Sequence, residues 1–221
     1  MTIRIAMLLF PDITQLDLTA SYEVLSRLPG AQISLVWKSL EPVTSGTGLR
    51  LSPNATLAEA EPADVLFVPG GSGLVPLVRD EQVLQFVRRQ GATARYVTAV
   101  CTGSLLLGAA GLLAGYRATT HWAYHEFLER CGAIPVRERV VIDRNRVTAG
   151  GVTAGMDFAL RLTAELAGEQ LARGIQLGLE YDPAPPFDSG TPERATPELV
   201  QDVLDRLATS RRGYAAALPH R

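Results

Sequence analysis

The feature that most constrains the fold is a set of short, almost purely apolar runs separated by glycine, proline and polar turns. The first run, Ile3 to Phe10, has very few polar positions and is closed by Pro11 and Asp12. A strand without polar alternation is typical of a parallel sheet that is covered on both faces. Further runs of this kind occupy residues 32–37, 63–68 and 96–100. The pattern predicts an α/β protein.

The segments between these runs carry helical periodicity. A helix is predicted from about Asp17 to Leu28, with Leu18, Tyr22 and Leu25 on its apolar stripe. Further helices are predicted at about 77–90, directly after residue 103, around 124–128, at 153–166 and at 168–180, and a hairpin at 136–148. Strands that alternate with helices imply a mainly parallel sheet with helices on both faces.

Length and composition indicate one soluble domain. A chain of 221 residues with 47% hydrophobic residues is long enough to bury a substantial core, so residues 1–221 are predicted to form a single domain. Within this domain, residues 182–221 are predicted to form a Pro-rich segment and a C-terminal helix, both packed on the rest of the domain. Thr196 is the predicted cap of this helix and Pro197 its first residue.

Composition also bears on location and partners. The chain has no apolar run of membrane-spanning length and no signal-peptide pattern at its start, so no membrane association is expected. Its two cysteines lie thirty positions apart and do not form a disulfide framework, which favours a reducing, cytoplasmic setting. A net charge of −2 provides no electrostatic reason to expect nucleic-acid binding.

The strongest chemical signal is a cysteine between a strand and a helix. Tyr96 to Val100 predicts a buried strand, and the Leu-rich segment after Gly103 predicts a helix. A nucleophile at such a junction, a nucleophile elbow, is lifted out of the sheet by a sharp turn. We therefore expect Cys101 to be a nucleophile whose pKa is lowered by the helix start. Cys131 has no such context and is expected to be structural.

Other strand ends are predicted to converge near Cys101, because ligands in open α/β sheets bind outside the carboxyl ends of strands. Gly70 and Gly71 follow a strand; with the N–H of Thr102 they form either an oxyanion-type hole or an ordinary tight turn. Gly150 follows another strand. Asp17 is either the N-cap of its helix or an acid that exchanges a proton with the thiol of Cys101.

Two histidines are further candidates. His121 lies near a strand end, where a Cys–His pair would activate the thiol, but a packed, hydrogen-bonded histidine is the favoured interpretation. His125 is expected on the surface. The spacing of His121 and His125 suits a metal, yet no further ligand cluster supports one, so no metal site is predicted.

Taken together, the motifs resemble the ThiJ/PfpI superfamily of flavodoxin-like (Rossmann-like) α/β proteins. The resemblance runs from Ile3 to about Tyr181. It is carried by L-L-F-P-D at Leu8, L-D-L-T at Leu16, V-P-G-G at Val68, A-V-C-T-G at Ala99, A-G-L-L-A-G-Y-R-A-T-T-H-W at Ala110 and A-G-G-V-T-A-G at Ala149. The stretch L-E-Y-D-P-A-P-P-F from Leu179 makes the chain most similar to members that hydrate isocyanides.

The resemblance implies a cysteine-dependent hydro-lyase that converts an organic isocyanide into an N-substituted formamide through a thioimidate on Cys101. It implies Asp17 as the acidic partner, Thr102 as a neighbouring hydrogen-bond donor, and, more loosely, Gly70, Gly71 and Gly150 as backbone that lines the site. No metal or organic cofactor is expected, and a homodimer is. Peptidase-type members carry His after the cysteine, so Thr102 argues against a protease.

Two other functions stay open. The C-T-G and T-T-H-W blocks also resemble the sensor domain of AraC-type transcription regulators, whose helix-turn-helix region follows that domain. Only about forty residues follow Tyr181 here, and they lack the basic character of a DNA-binding region. The third possibility is a stress-protective thiol protein that acts on glyoxals or oxidants through Cys101.

Overall fold

A mainly parallel sheet lies at the centre of the structure, a computed structural model that describes residues 2–219. In chain order, the strands are β1 (Ile3–Leu8), β2 (Ala31–Trp37), β3 (Val43–Thr44), β4 (Arg50–Leu51), β5 (Ala55–Thr56), β6 (Val65–Val68), β7 (Tyr96–Val100), β8 (Arg117–Ala118), β9 (Ile134–Pro135), β10 (Val140–Asp143) and β11 (Arg146–Ala149). Seven of these described strands form the main sheet, in the order β10-β11-β7-β6-β1-β2-β5.

The helices are α1 (Gln15–Leu25), α2 (Leu74–Leu77), α3 (Glu81–Thr93), α4 (Gly103–Ala109), α5 (Phe127–Arg130), α6 (Ala154–Ala167), α7 (Glu169–Gly178) and α8 (Pro197–Ala217), with a 3-10 turn at Trp122–Tyr124. Helix α6 packs against α1 and α7, whereas α4 packs against α2, α3 and α5. The fold confirms the predicted flavodoxin-like sandwich with a mainly parallel sheet.

The sheet pairs as the apolar runs predict. β1 pairs in parallel with β2 and β6, and β7 pairs in parallel with β6 and β11. The exception is the hairpin of β10 and β11, which is antiparallel, as the turn signal at residues 143–146 indicates. The four residues of β6 are fully buried, consistent with strands that are covered on both faces.

Two of the predicted helical segments are divided differently in the structure. Leu77 is the last residue of α2, and the helix predicted at 77–90 begins only at Glu81, because Asp80 caps α3 by accepting a hydrogen bond from the N–H of Val83 at 3.1 Å. The helix predicted around 124–128 is a 3-10 turn followed by the single turn α5. Both departures shift helix ends and leave the topology unchanged.

The C-terminal helix α8 is capped at its start and bonded to the rest of the fold at its end. Thr196 caps it, accepting a hydrogen bond from the N–H of Leu199 at 3.3 Å. At the other end, Arg79 and Arg130 donate hydrogen bonds to carbonyl oxygens of residues 215–219, which suits cations at the negative end of a helix dipole. The helix packs against α2 and the 3-10 turn. This packing places Tyr214 in the interior. Within residues 2–219, no helix is both long and apolar enough to span a membrane.

Candidate active site

Three loops converge on Cys101 at the carboxyl edge of the sheet. The loop after β1 is tied to the loop after β6, because the N–H of Thr14 donates to the Gly70 carbonyl at 2.9 Å and Ile13 forms a bridge with Gly71. The loop after β11 is tied to Cys101, whose N–H is shared between the carbonyls of Ala149 and Gly150 at 3.0 and 2.9 Å. The predicted convergence of strand ends is confirmed.

Cys101 occupies a sharp turn between β7 and α4. Its backbone has φ +56°, the left-handed region that non-glycine residues rarely adopt. The turn is held by the hydroxyl of Thr120, which donates to the Cys101 carbonyl at 2.7 Å. Gly103 is required by space, since a Cβ there would lie 2.1 Å from the carbonyl oxygen of Val68. These features confirm the predicted nucleophile-elbow geometry.

Asp17 lies within helix α1 and faces the cysteine, so the N-cap interpretation is wrong. The cap position belongs to Thr14, and Asp17 is the third residue of the helix. Its carboxyl group is fully buried, and Oδ2 accepts a hydrogen bond from the N–H of Gly70 at 2.8 Å. A Cβ on Gly70 would lie 2.6 Å from Asp17 Oδ2 and 2.7 Å from the Cβ of Cys101. Only glycine allows the carboxyl and the thiol to approach each other here.

Burial determines the protonation of Asp17. Loss of hydration raises the pKa of its carboxyl to about 7. Hydrogen bonds from the Gly70 N–H and the Cys101 thiol lower this pKa but offset only part of the rise. Oδ1 has no aligned hydrogen-bond partner among the described residues. An acid with a pKa close to neutrality is suited to both accepting and donating a proton at physiological pH.

The expectation that the helix start lowers the pKa of Cys101 is wrong. Burial raises the pKa of this thiol, and the nearby Asp17 carboxylate raises it further. The backbone N–H and the hydroxyl of Thr102 act in the opposite direction but do not outweigh these effects. Near pH 7 Cys101 is therefore a thiol whose proton must be removed as it reacts.

The glycine N–H groups are already used within the protein. The Gly70 N–H is bonded to Asp17, the Gly71 N–H donates to Thr102 Oγ1 at 3.1 Å, and the Gly150 N–H donates to the Arg139 carbonyl. The geometry therefore does not support an oxyanion-type hole made by Gly70 and Gly71. Instead, these glycines hold the side chains of Asp17 and Thr102 in place, while the Thr102 N–H faces the Cys101 sulfur.

A cavity of about 250 Å³ lies beside the residues that hold the Cys101 backbone. Thr120 and Gly150, which both hydrogen-bond with the Cys101 backbone, line it together with Trp122. Residues 190–193 of the Pro-rich segment form another part of its wall. Sequence alone did not show that this segment lines the cavity.

His121 and His125 are packed structural groups. His121 caps the 3-10 turn, accepting a hydrogen bond from the N–H of Ala123, and burial lowers its pKa to about 4. His125 is 8% exposed and its Nε2 lies 3.0 Å from the Val136 carbonyl oxygen, so the expectation of a surface position is wrong. Residues 2–219 contain no cluster of three or more His, Cys, Asp or Glu suited to a metal.

Cys131 is buried at the end of α5, against Gly108 of helix α4. Tyr214 of α8 is also fully buried, close to Thr102, and the sequence did not identify it as a site residue. A signal was present, since Leu199, Val203, Leu207 and Tyr214 recur at helical spacing in the sequence of that helix.

An α/β sandwich with a cysteine at a strand–helix elbow and a buried acid beside it defines the class of this protein, and sequence comparison agrees. The profile of the DJ-1/PfpI family matches residues 3–165. The chain belongs to the DJ-1/PfpI family. It is 58% identical over 210 residues to isonitrile hydratase of Pseudomonas putida, a match covering 95% of this chain and 92% of that enzyme.

Two further comparisons bear on the fold and on the alternatives. A ThiJ/PfpI family protein from Pseudomonas syringae superposes with a TM-score of 0.96 at 44% identity, covering 98% of this chain and 90% of that one. The transcriptional regulator GbdR of Pseudomonas aeruginosa is 34% identical over 190 residues, which is 80% of this chain but only 50% of the regulator.

Proposed function

We propose that this protein is an isocyanide (isonitrile) hydratase, which adds water to an organic isocyanide to give an N-substituted formamide. The observation that carries the proposal is the buried pair of Asp17 and Cys101, a proton-transfer group and a nucleophile held together by the Gly70 turn. The 58% identity to the isonitrile hydratase of P. putida supports the same reaction.

The first half of the reaction forms a covalent intermediate. The terminal carbon of an isocyanide accepts a nucleophile and carries a lone pair that must then be protonated. Cys101 sulfur attacks this carbon as the Asp17 carboxylate removes the thiol proton. Asp17, now a carboxylic acid, delivers that proton to the same carbon. Sulfur and hydrogen have then both been added to one carbon, which gives a thioimidate, R–N=CH–S–Cys.

The second half releases the product. Asp17, again a carboxylate, orients a water molecule and accepts its proton while the oxygen attacks the thioimidate carbon. One hydrogen of the water ends on the substrate nitrogen. The carbon–sulfur bond then breaks as the carbonyl forms, and the remaining proton returns to the pair of Asp17 and Cys101. The net change is one water added to one isocyanide.

Thr102 has a supporting role in this scheme. Its backbone N–H and hydroxyl both favour the thiolate form of Cys101, which is the attacking species and later the leaving group. Since every step moves protons and electron pairs between substrate, water and two side chains, we propose that the reaction uses no metal and no organic cofactor. The cavity lined by Thr120, Trp122 and Gly150 is the proposed site of the isocyanide substituent.

We propose further that the protein is a cytoplasmic homodimer. Its proposed ligand is the small isocyanide substrate. Two cysteines outside any disulfide suit a reducing compartment. A net charge of −2 provides no attraction for nucleic acid, and no membrane partner is proposed.

Product analysis tests the proposal. Purified protein is incubated with several alkyl isocyanides, and the matching formamides are measured. The Cys131→Ser variant should form product at nearly the parent rate, because Cys131 lies outside the site. Cys101→Ala should form none above the uncatalysed rate. Turnover of methylglyoxal or peroxide without formamide formation would instead favour a stress-protective thiol protein, and tight isocyanide binding without turnover would favour a sensor.

A further inference from the structure

Tyr214 is a buried polar side chain near the site that the mechanism above does not use. It belongs to α8, outside the segment that the DJ-1/PfpI profile matches, and it is fully buried. Its ring contacts Tyr124 and Phe127 edge-on or tilted, with centroids at 5.5 and 6.2 Å. These contacts fix the ring, so the position of its hydroxyl is determined by the packing of α8.

The hydroxyl of Tyr214 has no aligned hydrogen-bond partner among the described residues. Buried hydroxyl groups are almost always bonded, and leaving one unpaired costs about 1–3 kcal/mol. Its polar neighbour is the side chain of Thr102, which adjoins the nucleophile. The other tyrosine of this aromatic group, Tyr124, is by contrast bonded through its hydroxyl to Ser210.

The bonding of Thr102 shows what the Tyr214 hydroxyl can do. A threonine hydroxyl accepts two hydrogen bonds and donates one. Thr102 Oγ1 accepts one from the N–H of Gly71 at 3.1 Å, while its own proton faces the Gly71 carbonyl at 3.5 Å, which is too long for a strong bond. One lone pair of this oxygen and its proton are therefore available.

We propose that Tyr214 is a positioning residue that stabilises the Cys101 thiolate through the hydroxyl of Thr102. When the thiolate forms, the Tyr214 O–H turns to donate to the second lone pair of Thr102 Oγ1, and Thr102 donates its proton to the sulfur. Each donor polarises the next, which strengthens the final bond to the charged sulfur. The direction is determined, because burial raises the pKa of Tyr214 and keeps its proton on the oxygen.

Other charged and titratable groups face this chain. Asp17 on α1 acts on Cys101 directly, and Tyr124 in the 3-10 turn interacts electrostatically with Cys101 and Tyr214, with Arg211 of α8 acting on Tyr124. None of these groups would change when only the Tyr214 hydroxyl is removed. The proposal builds on the role of Cys101 in the proposed function, but its test needs no isocyanide.

The test measures thiolate formation in a Cys131→Ser background, where Cys101 is the remaining thiol. Ultraviolet thiolate absorbance and the rate of iodoacetamide alkylation are followed against pH. Tyr214→Phe should raise the apparent thiolate pKa and slow alkylation about 3- to 10-fold at a fixed pH below that pKa, the effect of about one hydrogen bond. Its unfolding temperature should stay the same or rise, since a buried unpaired hydroxyl is removed.

A double-mutant cycle tests the route through Thr102. In a Thr102→Val background, Tyr214→Phe should change the alkylation rate by less than about 2-fold, because the two side chains act as one unit. Thr163→Val is the matched control, since Thr163 also has a buried hydroxyl without an aligned partner among the described residues but lies on α6. It should leave the titration of Cys101 unchanged.

Two results would overturn the proposal. An unchanged thiolate titration in Tyr214→Phe would show that the hydroxyl has no influence on the cysteine. If Tyr214→Phe changed the alkylation rate equally with Thr102 and with Thr102→Val, Tyr214 would act without Thr102. Because both readouts concern the thiol alone, either result would leave the hydration of isocyanides untouched.

Discussion

Asp17 and Cys101 form a pair of ionisable groups in a site that is nearly closed to water. Burial raises the pKa of both, and the charge of either one opposes charge on the other. Such a pair titrates as a unit, and above about pH 7, once the first proton has left, the two groups share the remaining one. This is the proton that the isocyanide carbon needs, which is why the site can work with a cysteine that is not a permanent thiolate.

The first prediction concerns the division of labour among the side chains. Cys101→Ala should abolish turnover, because no nucleophile is left. Asp17→Asn keeps the shape and the bond from Gly70 but removes proton transfer, so kcat should fall roughly 100- to 10,000-fold. Thr102→Val keeps the backbone N–H, so its loss of kcat should be clearly smaller than that of Asp17→Asn. Steady-state kinetics with an alkyl isocyanide would measure this order, and near-parent turnover by Asp17→Asn would refute the proposed mechanism.

The second prediction concerns stability and pH. The pKa of Asp17 is raised from 3.8 to about 7 in the folded protein, so the folded state holds this proton more tightly than the unfolded chain does. Its contribution to the free energy of unfolding is therefore largest below pH 3.8, decreases up to about pH 7 and stays low above. Asp17→Asn should be more stable than the parent at about pH 8, by on the order of 2 kcal/mol.

Denaturant unfolding of the parent and Asp17→Asn at several pH values would measure this difference. The advantage of the variant should shrink as the pH is lowered and should be smallest near pH 4. A variant that is less stable than the parent at every pH would show that the carboxyl contributes to folding through its contacts more than burial of its charge costs. A more stable but inactive variant is the result expected of a group retained for catalysis.

At the scale of elements, the turn between β6 and α2 is the part that assembles the site. The carbonyl of Gly70 accepts a hydrogen bond from the N–H of Thr14 in the loop after β1, and the N–H of Gly70 donates one to Asp17. Its Gly71 N–H bonds to Thr102 at the start of α4. One short turn thus fixes the distance between the acid on α1 and the nucleophile before α4.

The third prediction follows from the space at this turn. Gly70→Ala places a methyl group 2.6 Å from Asp17 Oδ2 and 2.8 Å from the N atom of Thr102, so the acid and the cysteine must separate. We expect a loss of about 1–3 kcal/mol in stability, as for other overpacked sites, and a loss of activity comparable to Asp17→Asn. Gly174→Ala on α7 is the control.

Apart from the adjoining backbone of its own helix, no atom lies within 4 Å of the Cβ that Gly174→Ala would add. This substitution should raise stability by up to about 1 kcal/mol through helix propensity and leave the kinetics unchanged. Thermal unfolding and steady-state assays of both variants would decide the matter. Parent-like activity in Gly70→Ala would mean that the contact between Asp17 and Cys101 is not needed.

At the scale of the whole molecule, several large apolar side chains are exposed to solvent in a single copy of the protein. Leu16 and Tyr22 on α1 are each 39% exposed, and Leu177 and Phe187 near the Pro-rich segment are 82% and 78% exposed. Leu16 also borders a groove of about 990 Å³ that Tyr181 and Pro183 line. Apolar surface of this kind supports the proposed association with a second copy.

The fourth prediction is therefore a dimer in solution. Sedimentation velocity over a range of micromolar concentrations should give a mass near twice the chain mass of 23.8 kDa, since a self-complementary interface closes with two copies. A single species of chain mass throughout that range would refute the homodimer. Cys101→Ala should sediment as the parent does, because the side chain is buried within one subunit.

The sequence by itself determined what depends on neighbours along the chain. The strand Tyr96–Val100 was predicted with its observed ends, and the elbow at Cys101 followed from a nucleophile placed between an apolar run and a glycine. The cap at Thr196 with Pro197 after it was likewise predicted, because capping involves residues only three positions apart. The sheet type followed from runs without polar alternation.

Only the tertiary structure decided what depends on contacts between distant residues. Asp17 bonds to Gly70, 53 positions away, so local pattern could not separate a helix cap from an acid in the site. The raised pKa of Cys101 and the buried position of His125 result from packing by several elements at once, and local signals predicted the opposite. Tyr214 reaches Thr102 only because α8 folds back on the domain. Burial and hydration belong to the assembled fold, and the charges of the site follow from them.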